Sequence, residues 1–212
     1  TNSLNLWKFH VDFATPASST LTGPTSIPVA AFTAACGGGT CIPQTGTAQK
    51  LDSLGDRLMY RLAYRHFVDG HESLVVNHSV KTGGTKRAEL DGVRWYEIRT
   101  PATTPTVVQQ STYAPDSTTS RWMGSVAMDK VGNMAMGYSA SSSTIHPAIR
   151  YTGRLAEGGG SQLANLARWG DYSAMTIDPV DDCTFWYTSE YLKANGTFNW
   201  STRIASFKLP NC

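Results

Sequence analysis

The chain has 212 residues and a net charge of +2, and its charged fraction of 16% lies well below the roughly 25% of an average soluble domain. It carries no Lys/Arg run to track a phosphate backbone, which excludes a nucleic-acid footprint. Hydrophobic residues make up 41%, with 6 Trp, 9 Tyr and 7 Phe, enough to fill a core and exclude disorder as the main state. The longest apolar stretch, Ile27 to Cys36, falls far short of the ~20 residues that span a membrane.

In chain order, short runs rich in β-branched and aromatic residues recur, each bounded by Gly, Pro, Asn, Asp or Ser. They predict strands at Leu4–Phe13, Ile27–Ala34, Arg57–Val68, Ser73–Val80, Val93–Arg99, Thr106–Tyr113, Gly124–Asp129, Asn133–Ser139, Pro147–Leu155, Ser173–Ile177, Thr184–Leu192 and Thr202–Leu209. Only Thr47–Leu54 and Gln162–Trp169 have the spacing of a helical turn. Ala14–Ser26 and Gly37–Thr47 read as loops. No linker divides the chain, so residues 1–212 form one all-β domain, looser over 1–50 and regular over 51–212.

The four cysteines sit in two places. Cys36 and Cys41 bracket a glycine-rich turn, while Cys183 borders a strand and Cys212 lies at the end. Two disulfides, Cys36–Cys41 and Cys183–Cys212, are favoured over free thiols. Zinc ranks below both, because the short spacing to a second ligand pair is missing. Disulfides imply an oxidising compartment, so the expected location is secreted, extracellular or periplasmic. No signal peptide is present, so a secreted chain would be a mature or internal piece. Asn77-His78-Ser79, Asn195-Gly196-Thr197 and Asn199-Trp200-Ser201 fit the glycosylation acceptor pattern.

An internal repeat organises the rest. Leu54 to Tyr60 resembles Trp169 to Met175, and Arg121-Trp122-Met123-Gly124-Ser125-Val126-Ala127-Met128 aligns with Arg168 to Met175. An acidic turn follows each unit, around Asp69, Asp129 and Asp178 to Asp182, and then an aromatic or small-residue strand. The two Arg-Trp pairs stand 47 residues apart, and Lys81–Asp91 reads as an insertion. Units of about 40–50 residues with four strands each are the period of β-propeller blades.

The unit RWGDYSAMTIDPVDDCTFWYTSEY, followed by TRIASFKL, resembles the repeat of secreted bacterial sialidase-like propeller proteins. The resemblance spans about residues 48–212 and implies an incomplete β-propeller of about three four-stranded blades. It transfers no catalytic role, since no motif brings three arginines together and the Asp-box pattern is only partly matched.

Candidate chemistry lies on the repeat. Asp56 and Asp171 occupy matching positions entering the innermost strands, where propeller loops ring a channel mouth. With Arg168, Tyr172 and His71 they form the candidate catalytic set; the competing reading is that Gly-Asp shapes a turn. Arg121, Trp122 and Trp169 are candidate ligand-binding residues, since an Arg-Trp pair can grip a carboxylate or stack a sugar, but packing between blades competes. His66, His71 and His78 surround an acidic turn with Asp69 and Glu72, yet hairpin histidines are usually solvated. Asp178, Asp181 and Asp182 are dense enough in hard oxygen to hold calcium, the one cofactor the sequence admits, although acidic turns are ordinary.

Three blades leave open faces and edges. The expected partner is therefore a second copy: two chains would make a six-bladed ring, each lending Leu4–Phe13 to the other. The expected function is a self-assembling module that binds a glycan or small ligand at the channel mouth. The alternative is a glycoside, ester or phosphoester hydrolase with its site there.

Overall fold

In the computed structural model, which describes residues 2–85, 88–151 and 154–212, the β-branched and aromatic runs form fifteen strands and no α-helix. β1 (Ser3–His10) and β2 (Thr20–Pro28) make a hairpin, and β3 (Thr40–Ile42) pairs with β4 (Leu51–Asp52). Sheet one is the meander β5 (Ala63–His66), β6 (Glu72–Thr85), β7 (Ala88–Arg99) and β8 (Thr106–Tyr113). Sheet two is the meander β9 (Ser120–Met128), β10 (Met134–Ser141), β11 (Ala148–Arg150) and β12 (Arg154–Ala156). Sheet three has three strands, β13 (Ala174–Ile177), β14 (Phe185–Leu192) and β15 (Trp200–Phe207). All pairs within these sheets are antiparallel, and no closed barrel or ring forms among the described residues.

β9 is the pivot, and its nine residues are all buried. Because successive side chains leave a strand on opposite faces, Val126 and Met128 pack with Phe67, Val75 and Val93 of sheet one. Ala127 between them packs with Met175, Phe185 and Tyr187 of sheet three. A strand covered on both faces takes small-to-medium residues throughout, which Gly124 to Met128 supplies, its one polar side chain, Ser125, accepting the Met175 N–H at 2.8 Å. Glycine is required at two close approaches. A Cβ on Gly124 would lie 2.5 Å from the Asn77 Oδ1, and one on Gly137 would lie 2.3 Å from the Tyr187 ring.

The two Arg-Trp copies match in local backbone. Met123 and Gly170, aligned by sequence, both adopt the left-handed conformation, at φ 50° and 53°. Trp122 and Trp169 beside them enter one buried cluster with Ile42, Leu51, Met59, Met123 and Leu192.

Several expectations are corrected. Thr47–Leu54 and Gln162–Trp169 form no helix: the first contains β4, and the second is turn and irregular chain bonded through Gln162 to Gln44. Residues 20–26, expected as loop, are strand and run on through Pro28 as β2, whereas residues 29–33 of the expected strand Ile27–Ala34 are irregular, and the expected loop Gly37–Thr47 contains β3. The side chains of β2 are nearly all exposed, so it has no apolar alternation to read. Arg57–Val68 shrinks to β5, and the apparent insertion Lys81–Asp91 continues β6 and β7 as one long hairpin, of which residues 86–87 lie outside the described residues. The strand expected at Pro147–Leu155 is found as β11 and β12, either side of residues 152–153, which also lie outside them.

The start of the chain is also corrected. β1 is not held out for a neighbour: it pairs with β2, from Ser3 opposite Pro28 to His10 opposite Thr20. The hairpin presses Leu4 and Ile27 onto Leu74, Val76, Tyr96 and Ile98 of sheet one. Sheet one is thereby buried on both faces, leaving sheet three as the sheet with an open face.

Candidate functional site

The open face of sheet three is set by register. Trp186, Thr188 and Glu190 of β14 lie opposite Ser206, Ile204 and Thr202 of β15, and strand alternation turns this row away from sheet two. Phe185, Tyr187 and Ser189 alternate inward and are buried. At one end of the outward row the Gly170–Ser173 turn and the β14–β15 connection rise to enclose a cleft of about 440 Å³. Arg168, Asp171, Tyr172, Glu190, Phe198 and Trp200 define its character.

The polar groups of the cleft are coupled. Arg168 donates to the Asp171 Oδ2 at 2.5 Å, while Oδ1 of the same carboxylate is buried without a hydrogen-bond partner. Burial holds the Glu190 carboxyl above the ordinary glutamate value, and the Asp171 charge pushes the same way. The Gly170 N–H, donated to the Glu190 Oε1 at 3.0 Å, pulls against both. Three aromatics stand around these groups, Tyr172 at 79%, Phe198 at 73% and Trp200 at 51% exposure.

Of the candidate catalytic residues, Asp171, Arg168 and Tyr172 come together in this cleft, and the others do not. Asp56 is bound by Arg57 through two contacts of 2.9 Å, and that hydrogen bonding holds its carboxyl below the usual range. The Arg57 guanidinium is held charged first by Asp56 and then, more weakly, by Asp52 and Asp171, so the two matching turns share one side of the molecule. His71 lines a different cleft, of about 410 Å³, with Glu97, Arg99 and Lys130. Its Nδ1 lies 2.5 Å from the Asp69 Oδ1, and its ring stacks on Phe67 at 4.1 Å.

The candidate ligand-binding residues are mostly core. Trp122 is fully buried, and Arg121 is 5% exposed, paired with Asp116 and donating to the Thr119 carbonyl at 2.9 Å. Trp169 is also buried, with Nε1 on the Ser139 hydroxyl at 3.1 Å, although one side of it floors the cleft.

The calcium candidates are turn formers. Asp178 Oδ1 accepts the Val180 N–H and its Oδ2 the Trp186 indole. Asp181 accepts the Cys183 and Thr184 N–H groups, the Thr184 hydroxyl and Lys208, while Asp182 meets Arg65. These oxygens face donors rather than one another, and the three carboxylates do not converge on a point. His78 is likewise interior, its ring on the Tyr96 hydroxyl at 2.9 Å. Asn77 is fully buried, out of reach of a glycosyl group, whereas Asn195 and Asn199 are exposed.

Both expected disulfides are present, Cys36–Cys41 and Cys183–Cys212. No helix among the described residues is long and apolar enough to cross a membrane. The sequence reading admits Phe198 and Trp200, with Trp186, Tyr187 and Tyr191, as a sugar-stacking platform in competition with sheet core and filler, but passes over Glu190. The signal available was a lone acid in an otherwise uncharged strand, Thr184 to Leu192, facing an aromatic connection. No protein-family model, no curated protein and no solved structure matches the chain.

Proposed function

We propose that the chain is a secreted glycan-binding module whose three meanders are blades of an incomplete, sialidase-like β-propeller, with the cleft on sheet three as the ligand site. The observation that carries the reading is the lining of that cleft: exposed Tyr172, Phe198 and Trp200 around Arg168, Asp171 and Glu190. Sugar rings present an apolar C–H face and an equatorial girdle of hydroxyls. Aromatic rings cover the first, while carboxylates and a guanidinium bind the second by paired, charge-assisted hydrogen bonds. The disulfides support an oxidising compartment. A glycan array followed by titration calorimetry tests the reading. Retention of at least one glycan, lost in Trp200→Ala and Tyr172→Ala with the fold intact, is expected; an empty array would overturn it.

Glu190 favours a second reading, a hydrolase acting on a glycoside, ester or phosphoester. Burial raises the Glu190 carboxyl beside the second carboxylate of Asp171, and two carboxyl groups in unlike surroundings are the acid–base arrangement such chemistry uses. Turnover of a chromogenic model substrate that disappears in Glu190→Gln and Asp171→Asn would select it over simple binding.

Self-association belongs to the same proposal in altered form. A ring of two copies needs two open faces per chain, and the hairpin covers one of them. The remaining face carries Trp186 at 42% and Ile204 at 64% exposure, and two copies meeting there would form a two-fold contact that covers the cleft, so the dimer and glycan binding compete. Light scattering should give twice the chain mass, reduced to the chain mass by Ile204→Glu.

A further inference from the structure

Beside the Cys36–Cys41 bridge the long β6–β7 hairpin delivers two carboxylates. Glu89 and Asp91 both come from β7, two residues apart and therefore on one face. Asp91 is fully buried, its Oδ2 accepting from the Ser120 hydroxyl at 3.3 Å and lying 3.9 Å from the Cys41 sulfur. Its Oδ1 has no partner. Glu89 accepts the Cys36 N–H at 2.6 Å and faces Lys81 at 3.1 Å. One ligand atom from each of Cys36, Cys41, Glu89 and Asp91 lies within 4.8 Å of all the others.

Two carboxylates facing each other at this depth need a proton or a cation between them. While the sulfurs are bonded to each other, a proton fills that need and the sulfurs are closed to a metal. We propose that reduction of the Cys36–Cys41 bridge converts this corner into a tetrahedral zinc site made of Cys36, Cys41, Glu89 and Asp91. Two thiolates with two carboxylates suit a borderline-soft ion without a geometric preference of its own. Zinc–sulfur bonds of about 2.3 Å and zinc–oxygen bonds of about 2.0 Å set the edges of such a tetrahedron at roughly 3.3–3.8 Å. The donors lie within 4.8 Å of one another, with the Cys41 sulfur 3.9 Å from the Asp91 Oδ2, so they must draw in by up to about 1 Å while the sulfurs part. The loop between them is Gly37-Gly38-Gly39-Thr40; a side chain on Gly37 would meet nothing within 4 Å, while Gly38 packs against Asp56, so the loop can open on the Gly37 side.

The step balances. A dithiol reductant gives two electrons and two protons to the bridge, leaving two thiols and becoming a disulfide itself. Zinc then displaces both thiol protons and the carboxyl proton to solvent. Lys81 beside Glu89 offsets part of the remaining negative charge. The spacing rule that ranks zinc low in the sequence holds along the chain; here the second ligand pair comes from a strand 50 residues further on.

The test uses the full chain, oxidised and after reduction, with zinc bound in competition with a chromogenic chelator. One zinc per chain is expected after reduction and none before. Cobalt in place of zinc should show a thiolate-to-metal charge-transfer band. Cys36→Ser should abolish that band, Asp91→Asn and Glu89→Gln should each weaken binding at least tenfold, and Cys183→Ser should leave it unchanged. If the reduced chain loses its near-ultraviolet dichroism, zinc should restore it; failure to do so overturns the proposal. So does a reduced, folded chain that binds no zinc, or zinc binding indifferent to Asp91→Asn and Glu89→Gln.

Discussion

Arg121-Trp122 and Arg168-Trp169 are copies of one local structure in two surroundings. Both tryptophans are buried, and the residue after each takes the same left-handed conformation. The arginines part ways. The Arg121 side chain is 6% exposed and holds Asp116 and the Thr119 carbonyl inside the stack; that of Arg168 is 73% exposed and holds Asp171 at a cleft. Sheet two has neighbours on both faces and sheet three on one, so the same dipeptide is a packing element in the first and a surface tool in the second. The repeat builds the backbone, and the missing neighbour leaves a side chain exposed at the cleft.

The largest expected effect falls on what the copies share. Trp122→Ala and Trp169→Ala should each destabilise by about 3–5 kcal/mol, measured by urea unfolding, since each leaves a large cavity in the same cluster. A cost below about 1 kcal/mol for either would break the equivalence. Next come the arginines, where the copies should diverge. Arg121→Met should cost about 1–3 kcal/mol, less than a fully buried pair because Asp116 is 40% exposed. Arg168→Met should cost a similar amount, about 1–3 kcal/mol, because it strips the partner from the Asp171 carboxylate, which is 10% exposed, but unlike Arg121→Met it should also lower glycan affinity at least tenfold.

The smallest effect contrasts covered and open ionisable groups through pH. Burial, with Arg94 nearby, lowers His78 to about 4, so its contribution is lost as pH falls from ~6.5 to about 4. Burial and the facing Glu89 raise Asp91 to about 7, so its contribution is lost as pH rises from ~4 to about 7. In the folded state one proton sits on Asp91, in the unfolded state on His78, and the slopes oppose. The stability of the oxidised protein should therefore change little between about pH 4.5 and 6.5 on their account. Urea midpoints of His78→Gln should fall with rising pH, and those of Asp91→Asn with falling pH, each by about 1 kcal/mol per unit. Glu190, held up chiefly by burial in the cleft, should lose its stabilising contribution as pH rises and should move ligand affinity over the same range.

The legible parts of the fold were those where period and composition agree. β9, β10 and β14 carry apolar or aromatic runs because they are covered, and their turns carry aspartates that cap N–H groups, as Asp129 does for Val131 and Asn133. β2 was illegible because an exposed strand of Thr, Ser, Gly and Pro has no inward set to read. The apparent insertion hid Glu89 and Asp91, since a two-stranded extension is specified by pairing and not by hydrophobic pattern. Asp171, Arg168 and Tyr172 could be chosen from the repeat, but Asp56 and His71 could not be separated from them without knowing which turns share a cleft. The calcium reading counted carboxylates and could not see that backbone N–H groups already held them.

The β1–β2 hairpin gives the stack of sheets a direction. A meander added ahead of β5 would have to dislodge Leu4 and Ile27 from sheet one. One added beyond β15 would cover Trp186, Trp200 and Ile204 and dislodge nothing. Duplication of the unit is thus admissible at one side of the fold only, and that side is where the cleft lies. Growth of the array and an open cleft on sheet three exclude each other, so lengthening this protein by one repeat is predicted to bury the cleft in a longer core.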